Sequence, residues 1–247
     1  MSNFQNKIAV VTGGNSGIGY AAAKELKEKG ATVIITGRRK DALEKAAADL
    51  GVTGLVANQA DINDTEQLVA TVTEKYGQVD ILFINAGIAA ISPIENVSEQ
   101  HFDDIMNINF KGAYFTLSKF IPILRDGGSV VFLSSIVAST TSVASSVYSA
   151  SKAALNSVMK SAALELAPRK IRVNAVSPGP IATEIMHKAG LDDATLSTIK
   201  DSLITKSPLK RMGTSEEVAS IVTYLSDDAA GFITGSEFII DGGILLV

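Results

Sequence analysis

A tyrosine and a lysine four positions apart, in the run Tyr148-Ser149-Ala150-Ser151-Lys152, form a pair that can move a proton. On a helix this spacing sets both side chains on one face, one turn apart. A phenol with an ordinary pKa near ~10 carries protons poorly at neutral pH, and a nearby ammonium lowers that value by favouring the phenolate. The hydroxyl then becomes a usable general acid and, in reverse, a usable base. Spacing alone is not decisive, because Tyr20-Ala21-Ala22-Ala23-Lys24 repeats it. Tyr20 lies where a first helix should pack on a sheet, so a half-buried ring beside a snorkelling lysine explains that pair without chemistry. Tyr148 has a different setting: Ser134-Ser135 ends a buried apolar run thirteen positions upstream of it.

A second group of residues suits an anion. Thr12-Gly13-Gly14-Asn15-Ser16-Gly17-Ile18-Gly19 joins a short apolar run to a helix candidate. Glycines there permit a tight turn and close backbone approach, and the helix N-terminus offers free N–H groups and a positive dipole end to a pyrophosphate. The spacing is G-x-x-x-G-x-G, not the commoner dinucleotide G-x-G-x-x-G. Gly37-Arg38-Arg39 follows the second apolar run, where an acidic residue would accept the ribose hydroxyls of NAD. Gly37 instead leaves room for a 2′-phosphate, which Arg38 can pair with through its planar fork while stacking on adenine. The alternative is a solvated arginine pair. NADP(H) is the expected cofactor, with NAD(H) as second choice.

These residues must be positioned by something, and the chain alternates β-rich runs with helical stretches throughout. The runs are 8–12, 33–36, 55–57, 81–84, 130–133, 173–176 and 238–240; helices are expected over 18–29, 40–50, 66–76, 99–124, 147–166 and 215–225. Near-continuous apolar strands alternating with helices predict an α/β fold, a doubly wound Rossmann-like parallel sheet of about seven strands flanked by helices. No linker or repeat divides the 247 residues, so residues 1–247 read as a single domain. From Pro178 to Pro208 the pattern is long and poorly periodic, and its apolar residues suggest a substrate lid over 185–206, with Gly179 and Gly190 as hinges.

Composition narrows the class. There are no cysteines, which excludes disulfides, thiolate metal sites and cysteine nucleophiles, and the two histidines, His101 and His187, stand far apart, so no metal is expected. A net charge of -4, with Arg38-Arg39-Lys40 as the single basic run, argues against a nucleic-acid partner. No apolar run is long enough to span a bilayer, and Met1 to Lys7 lacks signal-peptide character, so no membrane partner is expected and a cytoplasmic location is.

Thr12, Gly13, Gly17 and Gly19, together with Tyr148-x-x-x-Lys152, resemble the classical short-chain dehydrogenase/reductase family, and the resemblance runs along nearly the whole chain. It implies a pyrophosphate loop that includes Asn15, Ser16 and Ile18. It also implies adenine contacts at Asp61-Ile62, a cofactor cleft lined by Asn85-Ala86-Gly87, and a nicotinamide segment of Pro178-Gly179 with Ile181 and Thr183. Asp241-Gly242-Gly243 is similar to the family's C-terminal signature. By the same resemblance Ser135 donates a hydrogen bond to the substrate oxygen, and Asn109, in Asn109-Phe110-Lys111-Gly112, holds a water in a proton relay with Lys152. Simpler readings stand beside these: Asp61 as a helix cap, Asn85-Ala86-Gly87 as a strand-ending turn, and a mid-helix asparagine, Asn107 or Asn109, bonding its own backbone.

The activity implied is a ketone/secondary-alcohol oxidoreductase acting on a small molecule. Arg211-Met212-Gly213 followed by Glu216-Glu217-Val218-Ala219 is equally similar to 3-oxoacyl-carrier-protein reductases and to bacterial carbonyl reductases. Epimerases and dehydratases on this fold, and a dinucleotide-sensing protein without catalysis, are the other classes weighed. The stretch Val147–Leu166 carries many small residues, including Ala150, Ala153, Ala154, Ser157, Ser161, Ala162 and Ala163, and the family pairs this helix across a twofold axis, which implies a homotetramer.

Overall fold

The computed structural model describes residues 4–140, 142–183 and 193–247. Seven strands form one sheet: β1 (Ile8–Val11), β2 (Thr32–Gly37), β3 (Thr53–Val56), β4 (Val79–Ile84), β5 (Leu124–Leu133), β6 (Arg172–Pro178) and β7 (Glu237–Ile240). All pairings are parallel, in the order β3-β2-β1-β4-β5-β6-β7. The described α-helices are α1 (Gly17–Glu28), α2 (Lys40–Leu50), α3 (Ile62–Tyr76), α4 (Glu99–Met106), α5 (Ala113–Phe120), α6 (Ser146–Leu166), α7 (Asp193–Lys206) and α8 (Ser215–Ser226).

Because successive strand side chains point to opposite faces, each apolar strand feeds two cores. Ala9, Val11, Val33, Ile35 and Phe83 pack with Ala22 and Leu26 of α1, Leu43 of α2 and Val218 and Val222 of α8. Val10, Ile34, Leu82, Ile84 and Phe132 pack on the other face with Leu68 of α3, Leu117 of α5 and Leu155 and Met159 of α6. Phe83 and Phe132 are fully buried on opposite faces, each contributing roughly 1.5–3 kcal/mol by leaving water. The strand order reverses between β1 and β4, so their C-terminal ends diverge and open a crevice.

The structure departs from the expected helix over 99–124. Pro122 sits in a 3-10 turn, Ile121–Ile123, and ends the helix, since it has no N–H to offer the preceding turn. Leu124 already belongs to β5, where it pairs with Val79 across a register shift. Inside the expected span, Asn107–Gly112 forms a π-helical turn between α4 and α5. The segment expected as an irregular lid carries α7 at 193–206, while 184–192 lies outside the described residues, His187 and Gly190 included.

Candidate active site

The cavity opens at the β1–β4 crevice. Thr12, which follows β1, is buried, and its hydroxyl accepts the amides of Asn85 at 2.9 Å and Ala86 at 3.0 Å, tying the two strand ends together. Asn85 returns the contact, its Nδ2 donating to Thr12 O at 2.8 Å and Gly13 O at 3.1 Å. The loop is drawn so tight that a Cβ at Gly19 would stand 2.4 Å from Gly13 O, and Gly13 has φ +64° with Ala86 Cα 2.9 Å from where its Cβ would lie. Only glycine fits either place. Ser16 is the N-cap of α1 and yet makes no side-chain cap bond, whereas Asp61 caps α3, Ser98 caps α4 and Thr214 with Glu217 forms a capping box on α8. The first amides of α1 are therefore left free toward the cavity.

The cavity measures about 570 Å³ and is lined in part by Gly13, Asn15, Ser16, Gly17, Ile18, Gly37, Arg38, Arg39, Asn85, Ala86, Gly87 and Thr183, all singled out in the sequence, and by Thr36 and Ala57, which end two of the expected apolar runs. Arg38 and Arg39 are exposed on its rim and form no ion pair among the described residues. A Cβ at Gly37 would meet Asn15 Oδ1 at 2.8 Å, so the end of β2 has no space for a carboxylate while Asn15 keeps its place.

The proton-transfer group borders the cavity at Leu133 and Gly87. Lys152 on α6 is 4% exposed and donates to Leu133 O at 2.8 Å. Its Nζ lies 5.9 Å from the centre of the Tyr148 ring, and a Cβ at Gly87 would stand 3.6 Å from it, so glycine keeps the space over the ammonium open. Ser135 lies just past β5, its Oγ accepting Val137 N at 3.4 Å, and acts on the half-buried Tyr148 phenol. Burial pushes that phenol above its ordinary value and the Ser135 hydroxyl offsets part of the rise. Burial also brings the Lys152 ammonium down to about 8. The downward shift expected at Tyr148 is thus not produced by the chain's own groups: desolvation outweighs Ser135, because removing a phenolate from water disfavours its charge.

Asn109 is 1% exposed and clamps one backbone residue at two points, its Oδ1 accepting Ile88 N and its Nδ2 donating to Ile88 O, both at 2.8 Å. The same Nδ2 reaches Ser151 Oγ at 3.3 Å, and Ser151 donates to Tyr148 O at 2.7 Å. Tyr20, by contrast, packs at the edge of the α1 core, and Lys24 pairs weakly with Glu28 at 3.9 Å.

Comparison with known proteins agrees with this geometry. The family profile described as Enoyl-(Acyl carrier protein) reductase matches residues 13–245. Human dehydrogenase/reductase SDR family member 4 is 37% identical over 96% of this chain and 87% of its own length. The 3-oxoacyl-[acyl-carrier-protein] reductase of Thermotoga maritima is 34% identical over 98% of this chain and 99% of its own. A short-chain dehydrogenase/reductase of Brucella melitensis, described as a glucose/ribitol dehydrogenase, superposes with a TM-score of 0.93 at 33% identity, covering 98% of both chains. The chain belongs to the classical short-chain dehydrogenase/reductase family. Its activity is accordingly that of an NAD(P)-dependent oxidoreductase with a Tyr/Ser/Lys catalytic arrangement.

The remaining expected positions of this short-chain dehydrogenase/reductase lie off the cavity lining. Asp61 caps α3 by accepting Asn63 N at 2.8 Å, Ile62 begins that helix, and the nearby wall is made by Ala57, Asn58 and Gln59. Pro178 ends β6, and Gly179 is pinned, its N–H donating to Ile240 O and a Cβ on it lying 2.7 Å from Asp241 Cβ, which suits an anchor better than a hinge. Ile181 bridges Gly213, with Ala182 N donating to Gly213 O and Gly213 N to Pro180 O, and so delivers Thr183 to the cavity. Arg211 and Glu217 brace that anchor from the start of α8, holding the Glu217 carboxyl down at about 2. Sequence reading missed Asn58, Gln59, Ile88, Ala89, Ala90, Ile108 and Leu133 as cavity residues. Gln59 and Asn58 carried a signal, two amides following an apolar strand; the others present backbone or aliphatic surface that no side-chain type marks.

Proposed function

We propose that this enzyme interconverts a ketone and a secondary alcohol, with Tyr148 as the proton donor in reduction and the acceptor in oxidation. The observation that carries the reading is the Tyr148 phenol set near Ser135 and 5.9 Å, measured from its ring centre, from the buried Lys152 ammonium, next to the residues that close the cavity. The cavity's volume falls within the roughly 300–1,000 Å³ of cofactor sites, and its uncapped helix and glycine-bared floor above Lys152 fit a dinucleotide. Hydride for the carbonyl carbon is what a bound reduced nicotinamide supplies. Ser135 donates to the carbonyl oxygen as negative charge develops, Tyr148 gives its phenolic proton to that oxygen, and Lys152 supports the phenolate left behind. Asn109 holds the Ile88 backbone and the water of the relay. Replacing Tyr148 by phenylalanine tests the assignment: ketone reduction falls by orders of magnitude while dinucleotide still binds, and an unimpaired variant rejects it.

Arg38 on the rim and the space denied to a carboxylate at Gly37 support NADP(H) as cofactor, with Arg38 on the 2′-phosphate. Apolar residues Ile199, Leu203 and Ile204, half-buried on α7, support a lid over 185–206 that covers an apolar ketone. For assembly, Ala150, Ala153, Ser157 and Ser161 leave one face of α6 exposed and Leu164 is 78% exposed at its end, supporting a homotetramer built on this helix. Ala162 and Ala163 serve the chain's own core instead. No α-helix among the described residues is long and apolar enough to cross a membrane; a cytoplasmic location is part of the same proposal. A 3-oxoacyl-carrier-protein reductase is the second reading, favoured by the Thermotoga maritima relative. Comparing kcat/KM for an acyl thioester with that for simple aryl and alkyl ketones separates the two.

A further inference from the structure

We infer that Gln59 is a positioning residue for the reaction, holding the π-helical turn in the register that aims Asn109 at Ile88; this rests on the Asn109 role given above. Gln59 is 8% exposed, between β3 and α3. Its Nε2 donates to Ala86 O at 2.9 Å and to Ile108 O at 3.0 Å. Both partners are carbonyls, so the amide orientation is fixed, and Oε1 is left buried without a partner. A buried acceptor without a partner is costly. The two bonds that Nε2 makes offset that cost. Ile108 lies inside the π-turn, where the ladder runs i→i+5. Ala86 lies past the end of β4 in the cavity wall. One amide therefore ties the cofactor wall to the π-turn. From that turn the chain of bonds continues through Asn109 to Ile88, to Ser151 and to the backbone of Tyr148. Gly112 completes the seat: its Cα is so close to Gln59 that a Cβ would stand 2.2 Å from Gln59 O.

Gln59→Met keeps the volume and removes the donor. The expected result is a kcat lowered about 10- to 100-fold with the ketone KM nearly unchanged, the scale of a small misplacement of reacting groups. In a double-mutant cycle, Gln59→Met with Asn109→Ala is expected to fall no further than Asn109→Ala alone. Additive losses, or an unchanged kcat in Gln59→Met beside an impaired Asn109→Ala, overturn the role of Gln59 and leave that of Asn109 standing. A silent Asn109→Ala overturns both. Should Gln59→Met not fold, Gln59→Glu carries the test: its carboxyl donates only when protonated, so kcat relative to the parent rises as pH falls, and a flat ratio rejects the proposal.

Discussion

At the scale of single residues, burial works on the proton-transfer pair in opposite directions, raising the Tyr148 phenol and lowering the Lys152 ammonium, because both neutral forms are easier to keep out of water. Tyr148→Phe is expected to lower turnover by at least ~100-fold, with dinucleotide affinity retained and Tyr20→Phe near parental, as steady-state kinetics and fluorescence titration would show. Lys152 adds a stability effect whose sign follows from linkage. Unfolded, it keeps its proton up to about 10.5; folded, it releases it near about 8. Between those values the unfolded chain binds more protons, so the enzyme gains stability as pH rises across that window. A depression of this size is worth about 3 kcal/mol, less about 1 for the bond to Leu133 O. Lys152→Met should therefore be inactive yet about 1–2 kcal/mol more stable in neutral buffer, with an advantage that shrinks from pH 8 to 10.5 in denaturant titrations. The pair itself was legible from its spacing and from Ser135 upstream. The direction of the Tyr148 shift was not, since desolvation depends on how the folded chain closes around the phenol.

At the scale of elements, the π-turn between α4 and α5 explains why an asparagine inside a helix is both tolerated and useful: the widened turn lets Asn109 grip Ile88 instead of its own ladder. Gly112→Ala forces a carbon into a backbone carbonyl that cannot swing aside, and is expected to cost at least ~1–3 kcal/mol, read as a lowered Tm together with lost activity. Strands such as β5 were easy to find, because Val130–Leu133 is apolar without interruption. The turn was hidden, since Ile105, Ile108 and Phe110 keep a helix-like apolar pattern through it, and only Pro122 announced where the helix must stop. For α7, hydrogen exchange that is fast in the free enzyme and slow with cofactor and ketone present supports a lid, whereas strong protection in both states speaks for a permanently packed helix.

At the scale of the whole molecule, cofactor choice and assembly are the measurable outcomes. A catalytic efficiency at least ~10-fold higher with NADPH than with NADH is expected from a guanidinium on the 2′-phosphate, and Arg38→Ala should erase most of that preference. Light scattering should return four times the 25.8 kDa chain mass; a monomer would remove α6 as an assembly surface. The β1–β4 crossing carries a kinetic consequence as well. Ala9 pairs with Ile81, and Thr12 bonds residues beyond β4, so the dinucleotide cradle comes into being only when a long loop has closed. Partly ordered chains then offer the nucleotide nothing to hold. Dinucleotide should leave the refolding arm of a chevron plot unmoved and act wholly on the other arm, slowing the rate at which the native enzyme comes apart as its concentration rises.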